Sequence, residues 1–258
     1  MGLKSVKKIL TILLVLLLPL LTLTACLGEC VVLEESKTYE TTTVIESLDI
    51  KLNAGDFKIE PALEFSVESN LKYLSVTEED GVLKIVDEAQ GFCNFNGATL
   101  TLYIPVGIPL VKANVEIGAG KLTAESAFTV GKLTLNLGAG ECSFASLYAL
   151  NQANVKNGAG KITVASGTLN NLTIEVGMGE LNLTARLLGD NDLTFGVGES
   201  NVVLVGEKAD YNLTTEKGLG SISIDGKDFS AFTNSENGQN KVKINGGVGA
   251  INLTFKND

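Results

Sequence analysis

Four cysteines have the widest chemical repertoire in this chain: Cys26, Cys30, Cys93 and Cys142. Thiols form thioethers and disulfides, and together with histidine they bind metals or act as nucleophiles. The chain has no histidine, which removes the His-based nucleophile systems, the imidazole zinc sites and the commonest general base. Lipid attachment and disulfide formation are therefore the chemistry that these cysteines favour.

Cys26 directly follows a segment that has the features of an export signal peptide. Three lysines precede an apolar run over residues 9–23, which is too short for a membrane span and ends in Leu-Thr-Ala-Cys at 23–26. This ending resembles the lipobox of bacterial lipoproteins, in which the cysteine is joined to diacylglycerol and a peptidase cuts before it. The resemblance implies cleavage after Ala25 and lipid attachment, including palmitate, at Cys26. The protein is then exported and anchored in the cell membrane or the outer membrane, facing outside the cytoplasm.

Removal of residues 1–25 leaves 17 basic and 30 acidic side chains, a net charge of −13. An acidic domain of this kind is a poor ligand for nucleic acid or for anionic lipid headgroups, since both need a basic face. Membrane contact is expected through the lipid on Cys26. A surface protein or a glycan is the remaining class of partner, and the oligomeric state stays open.

The sequence Gly-x-Gly occurs seven times, with the second glycine at positions 120, 140, 160, 179, 198, 220 and 249. A steady period of this size predicts a stacked solenoid. Phosphate binding is disfavoured because no copy continues into Lys-Ser or Lys-Thr, and strand-like segments flank every copy on both sides. The repeat therefore predicts an all-β fold, a single-stranded parallel β-helix of about 20 residues per coil.

Apolar residues alternate on both sides of each turn, which is typical of strands with one buried face. The predicted inward positions after the turn include Leu122, Cys142, Ile162, Leu181, Ile222 and Ile251, and those before it include Ile117, Leu137, Val176 and Phe195. Cys142 is thus expected to be a buried free thiol. Charges of alternating sign follow the second glycine at Lys121, Glu141, Lys161 and Glu180, and we interpret them as a solvated ladder between coils.

The remaining cysteines, Cys30 and Cys93, lie in or before the irregular N-terminal part. Both are expected outside the cytosol, where disulfides persist. A disulfide between them and a pair of free thiols are both consistent with the sequence. No metal or other cofactor is implied.

The repeat divides the chain into four segments: a signal peptide at 1–25, a lipidated tether at 26–43, an N-terminal β cap with a divergent first coil at 44–110, and the regular solenoid at 111–258. The last two form one continuous domain. Loop-like segments at 88–97 and 226–240 carry Phe92, Phe95, Phe229 and Phe232, which are candidate interaction residues or covers for the ends of the core. The last coil, ending in Ile-Asn-Leu-Thr-Phe at 251–255, is expected to close the stack with a bare edge.

The segments TLTLYIPVGIPLVKANVEIGAGKLTA and SLDIKLNAGDFKIEP resemble the bacterial "putative adhesin" family of β-solenoid domains over about residues 44–256. The resemblance implies a surface or lipid-anchored domain with no catalytic residues. We expect a non-catalytic, lipid-anchored cell-surface scaffold, an adhesin or interaction domain. An envelope-stress or signalling accessory that binds a neighbouring membrane protein is the alternative, and a carbohydrate-active enzyme on a β-helix is a weaker one.

Overall fold

A computed structural model describes residues 30–257 except 92, 217, 230–232 and 236–237. These residues are almost entirely extended, and one 3-10 helix covers Lys208–Asp210. Among the described residues no helix has the length and apolarity needed to cross a bilayer. The strands are β1 Cys30–Val31, β2 Leu33–Glu40, β3 Ser47–Ala62, β4 Ser66–Leu71, β5 Leu74–Glu79, β6 Val82–Asp87, β7 Cys93–Asn94, β8 Thr99–Pro105, β9 Leu110–Val164, β10 Gly167–Asn170, β11 Leu172–Leu188, β12 Asp190–Val205, β13 Tyr211–Glu216, β14 Ser221–Ile224, β15 Lys227–Phe229, β16 Thr233–Ser235 and β17 Asn240–Lys256. The predicted all-β fold is confirmed.

Successive repeats pair in parallel, one period apart. Gly179 lies opposite Gly160 on β9 and opposite Gly198 on β12. Gly55 of β3 lies opposite Gly120 in the same way. The strands run through these corners without a break, so each repeat forms one layer of a solenoid-like stack.

The second glycine of each corner faces the backbone of the neighbouring layer. Gly160 has φ +128°, and a Cβ there would lie 1.9 Å from the carbonyl oxygen of Gly140. The same approach, 1.8 to 2.0 Å, recurs at every second glycine from Gly120 to Gly249. Only glycine fits such a column, because any side chain would force the layers apart.

The core is a set of apolar columns that run along the stack. Every predicted inward residue is buried, with Ile162 and Cys142 each 1% exposed. The predicted free state of Cys142 is confirmed as well, and burial raises the pKa of its thiol far above the usual range. Alternation therefore places the buried face correctly throughout the repeats.

Two buried asparagines interrupt these columns and differ in their bonding. Asn191 accepts a hydrogen bond from Leu172 N at 3.0 Å and donates to the carbonyl oxygens of Leu188, Gly189 and Lys241. Asn157 is 2% exposed, and neither its Oδ1 nor its Nδ2 has a hydrogen-bond partner. A buried polar group without a partner costs free energy, so Asn157 is a weak point of the core.

The far end of the stack differs from the order that the sequence suggests. β17, the last strand of the chain, pairs in parallel with β12 on one side and with β13 and β14 on the other. The prediction that residues 251–255 close the stack is wrong, because β13 and β14 form a further layer beyond β17. β15 pairs antiparallel with β14, and β16 pairs antiparallel with β13. These short antiparallel strands occupy part of an edge that would otherwise be open.

At the N-terminal end of the stack, strand pairing changes from parallel to antiparallel. β3 pairs in parallel with β9, β8 and β6. Beyond it β8 pairs antiparallel with β4, β4 with β2, and β6 with β5. The half-buried Glu78 of β5 accepts hydrogen bonds from the backbone N–H groups of Thr42 and Thr43. This contact fastens the segment before β3 to the hairpin.

Candidate interaction site

Ion pairs join neighbouring layers on the outer face, and Lys161–Glu180 is the pair that comes from the predicted charge ladder. The Lys161 ammonium lies 3.0 Å from the Glu180 carboxylate, and Lys156 lies 3.0 Å from Glu175 in the neighbouring column. A hydrogen bond from Asn182, followed by the Lys161 contact, lowers the pKa of Glu180. These side chains are 40 to 58% exposed, so each pair adds little stability and serves mainly to favour the register.

An amide ladder runs beside the charges. Asn201 donates to Asn182 Oδ1 at 3.1 Å, and Asn252 donates to Asn201 Oδ1 at 3.0 Å. Ser223 extends the row by donating to Asn252 Oδ1 at 3.1 Å. The row follows the spatial order of the layers rather than the chain order. Its amides are engaged with one another, which favours a structural role over a ligand site.

The cysteines predicted to pair lie on neighbouring strands. Cys30 of β1 is in register with Cys93 of β7, and Cys93 is disulfide-bonded. Cys142 is free, so it is not the partner. A bond between Cys30 and Cys93 stays a prediction, and it would tie the tether to the loop at 88–97. Cys26, the predicted lipid site, lies outside the described residues.

The predicted phenylalanine sites are only partly within the described residues. Phe95 is half-buried and packs against the hydrophobic core, a position that suits a cover for the first layer. Phe229 ends β15, where its backbone is in register with Ile222. Phe92 and Phe232 lie outside the described residues.

An apolar groove lies at the C-terminal end of β3, beyond the glycine corner at Gly55. It has a volume of about 440 Å³, within the range of sites that bind small molecules or side chains. We call it the proline groove, and its main walls are Pro61, Pro105, Val106, Ile108, Phe128 and Leu150. Glu60 is the one charged residue in its lining, and Ser126 and Thr129 supply hydroxyl groups.

The loop between β8 and β9 builds one wall of the proline groove. Pro105 and Pro109 bracket it, and Gly107 has φ +79° with no atom near its Cβ position. The Val106 N–H donates to Ala62 O at 3.3 Å and holds the loop against β3. Val106 is 74% exposed and Ile108 54%. Two prolines fix φ on either side of this turn, so the apolar side chains are presented by a restrained loop.

Sequence reasoning missed the proline groove because its walls come from distant segments. The signal that could have found it is proline placement: of four prolines, Pro61, Pro105 and Pro109 all line it. In the described part of the chain, no cluster of three or more cysteine, histidine or acidic side chains could hold a metal. The groove is thus an apolar binding surface with a single charge at its wall.

Comparisons with known proteins find one matching family model and several similar solved structures. The model of the Toastrack DUF4097 family matches residues 37–254. A search of curated proteins finds no match. Among solved structures, a "putative cell adhesion protein" from Clostridium sporogenes ATCC 15579 is similar with 17% identity and a TM-score of 0.40, covering 86% of this chain and 99% of that one. A "putative adhesin" from Parabacteroides distasonis ATCC 8503 has 16% identity and a TM-score of 0.48, covering 84% and 95%.

Proposed function

The chain belongs to the Toastrack DUF4097 family, and on this premise we propose that it is a non-catalytic, lipid-anchored cell-surface domain that binds a partner through the proline groove. The observation that carries the proposal is the groove itself. It joins concavity, apolar walls and exposed Val106, Ile108 and Leu150. Exposed apolar surface of this kind marks interaction sites more often than scattered single residues do.

The solenoid is the scaffold in this proposal. Parallel register between β3 and β9, and from β9 through β11 to β12, supports a single parallel β-helix. The antiparallel strands β2 and β4 support a closing role for residues 44–110 at its first coil. The second glycines and the amide row are occupied with contacts between layers, and the groove interrupts this regular pattern.

The anchor rests on the sequence at 23–26. A diacylglyceryl group on Cys26 would bury many methylenes at about 0.8 kcal/mol each, and a second or third acyl chain makes anchoring firm. Export explains the disulfide at Cys93, because disulfides persist outside the cytosol. The acidic mature chain, at −13, agrees with a domain held off an anionic surface.

The chemistry of the groove defines its partner. Apolar walls favour an apolar side chain or short apolar segment, and desolvation of that surface supplies the binding free energy. Glu60 disfavours a carboxylate or phosphate in the groove and favours a basic group beside the apolar one. The proposed ligand is therefore an apolar segment of a surface protein with a neighbouring lysine or arginine.

Site-specific photocrosslinking on intact cells tests this function. A benzoylphenylalanine at Val106 should give a discrete crosslinked protein, and the same group at Glu141, an exposed outer-column position, should not. Leu150→Glu should abolish the Val106 product because it puts a charge in the apolar wall. Equal products from both positions, or a Val106 product that survives Leu150→Glu, would overturn the groove assignment. A neighbouring membrane protein as the product would favour the signalling role over adhesion.

A further inference from the structure

The middle residues of the Gly-x-Gly corners form an exposed row along one edge of the stack. Met178 lies in register between Ala159 and Val197, and Val197 lies opposite Val248. Leu219 is one layer further on, because the adjacent Gly220 stacks on Gly249. Alanines occupy the row at 119, 139 and 159, and larger apolar side chains follow. The larger four, the corner ridge, are Met178, Val197, Val248 and Leu219, with exposures of 59, 50, 48 and 85%.

The predicted lipid tether begins on the same edge. Asn53 Nδ2, just before the first corner, donates to Ala89 O at 3.0 Å, and Asp56 N, just after Gly55, donates to Ala98 O at 2.9 Å. Ala89 and Ala98 therefore contact this corner from its two sides, and β7, which lies between them in the chain, pairs with β1 at the start of the described chain. Cys26 precedes Cys30 by four residues, a reach of at most about 14 Å.

The start of the described chain and the corner ridge lie toward opposite ends of the row of corners. Seven layer steps separate the first corner from Leu219 in the register, which is about 34 Å at the usual strand spacing. The alanine part lies near β1, where the proposed lipid anchor would hold the edge. The larger apolar residues lie at the end that the proposed anchor would not reach. We propose that the corner ridge rests on the outer surface of the bilayer and gives the lipid-anchored domain a second contact that lays the stack edge-on.

Shape and charge favour a bilayer over a second protein. The ridge is one residue wide and projects from the edge, whereas a stable protein interface needs roughly 800 Å² of complementary surface on each partner. Shallow insertion into a fluid headgroup layer needs no matching surface. The two end corners continue into Ser221 and Ala250, which carry no charge, whereas the corners at Met178 and Val197 continue into Glu180 and Glu199. Net acidity and the carboxylates of Glu180 and Glu199 disfavour anionic headgroups, so the proposed surface is a zwitterionic one.

A contact of this size works only with the tether. Four aliphatic side chains are too few to hold a free domain on a membrane, but a tether raises the effective concentration of the bilayer at the ridge. The inference therefore rests on the proposed lipid anchor. It predicts an orientation, with the proline groove, near the far end of β3, held away from the bilayer.

The test uses the full lipidated chain in phosphatidylcholine vesicles. An environment-sensitive fluorophore on Leu219→Cys should shift to the blue and be quenched by lipids with a shallow doxyl group. The matched control is the same fluorophore on Val106→Cys, another exposed apolar site, which should behave as in water. Val248→Asp should remove the quenching at position 219 without changing flotation of the vesicles with bound protein.

Each outcome has a distinct meaning. A Leu219 fluorophore that stays water-exposed on floating vesicles overturns the edge-on contact and leaves the anchor intact. Energy transfer between Leu219 fluorophores on separate chains, with no lipid quenching, shows that a second copy covers the ridge and also overturns it. Loss of flotation itself shows that the lipid anchor fails, and the ridge contact then fails with it.

Discussion

Replacement of Asn157 by leucine is expected to stabilise the protein. Asn157 lies opposite Val176 in the register and above Leu137, because Gly158 stacks on Gly138. Leucine has the same number of side-chain heavy atoms as asparagine and the same branched shape, so overpacking is small. Removal of a buried polar group that lacks partners recovers about 1–3 kcal/mol. For a domain of this size the midpoint of thermal unfolding should rise by roughly 2–4 °C per kcal/mol.

Urea and thermal unfolding followed by circular dichroism measure this change. The matched control is Asn191→Leu, the same substitution at a buried asparagine whose amide makes four hydrogen bonds. It should lose about 2–4 kcal/mol, because each bond contributes about 0.5–1.5 kcal/mol and its partners are left unpaired. If Asn157→Leu destabilises the protein as much as Asn191→Leu does, the account of the core at Asn157 is wrong.

Three further predictions concern the corner, the near end and the last strand. Gly160→Ala should lower the free energy of unfolding by more than about 4 kcal/mol, since a Cβ would lie 1.9 Å from the Gly140 carbonyl oxygen. Gly107→Ala, at a position with positive φ and open space, should lower it by only about 1–2 kcal/mol, and urea unfolding of both variants measures the difference. Hydrogen bonds from Thr43 and then Thr42 lower the pKa of Glu78 from its usual 4.5. The stability that ionised Glu78 contributes is therefore complete above about pH 4.5 and is lost as the pH falls through the lower pKa of the folded state. Glu78→Gln should make stability depend less on pH in this acid range, and an unchanged dependence contradicts the assignment. Deletion of residues 240–258 should remove hydrogen-exchange protection from both β12 and β13, whereas protection that persists on β13 would contradict the insertion of β17 between them.

The local sequence pattern predicts the strands and corners of the repeats correctly. Alternation identifies the buried face at Ile162 and Leu181, and paired glycines mark each corner, because both signals depend on neighbours within a few residues. Asn157 shows the limit of this reasoning. It occupies an inward position by period, and only the three-dimensional packing shows that its amide has no partner.

The order of the layers in the stack and the position of the proline groove depend on contacts between segments that are distant in the chain. Every layer offers the same parallel edge, so the sequence of β17 does not by itself say which layers it joins. The irregular steps of 22 and 29 residues between the last second glycines are the trace of its insertion. The proline groove is similar, since Pro61, Phe128 and Leu150 meet only after the coils have stacked.

Both functional proposals depend on a protein held at a membrane through Cys26. Intact-mass measurement of the protein extracted from membranes tests this most directly, with Cys26→Ala as the control. The account predicts a mature chain that begins at Cys26 and carries the mass of a diacylglyceryl group, and a Cys26→Ala protein that lacks the lipid and leaves the membrane fraction. A wild-type chain cleaved elsewhere and free of lipid, or a Cys26→Ala protein that stays lipid-modified, would contradict it.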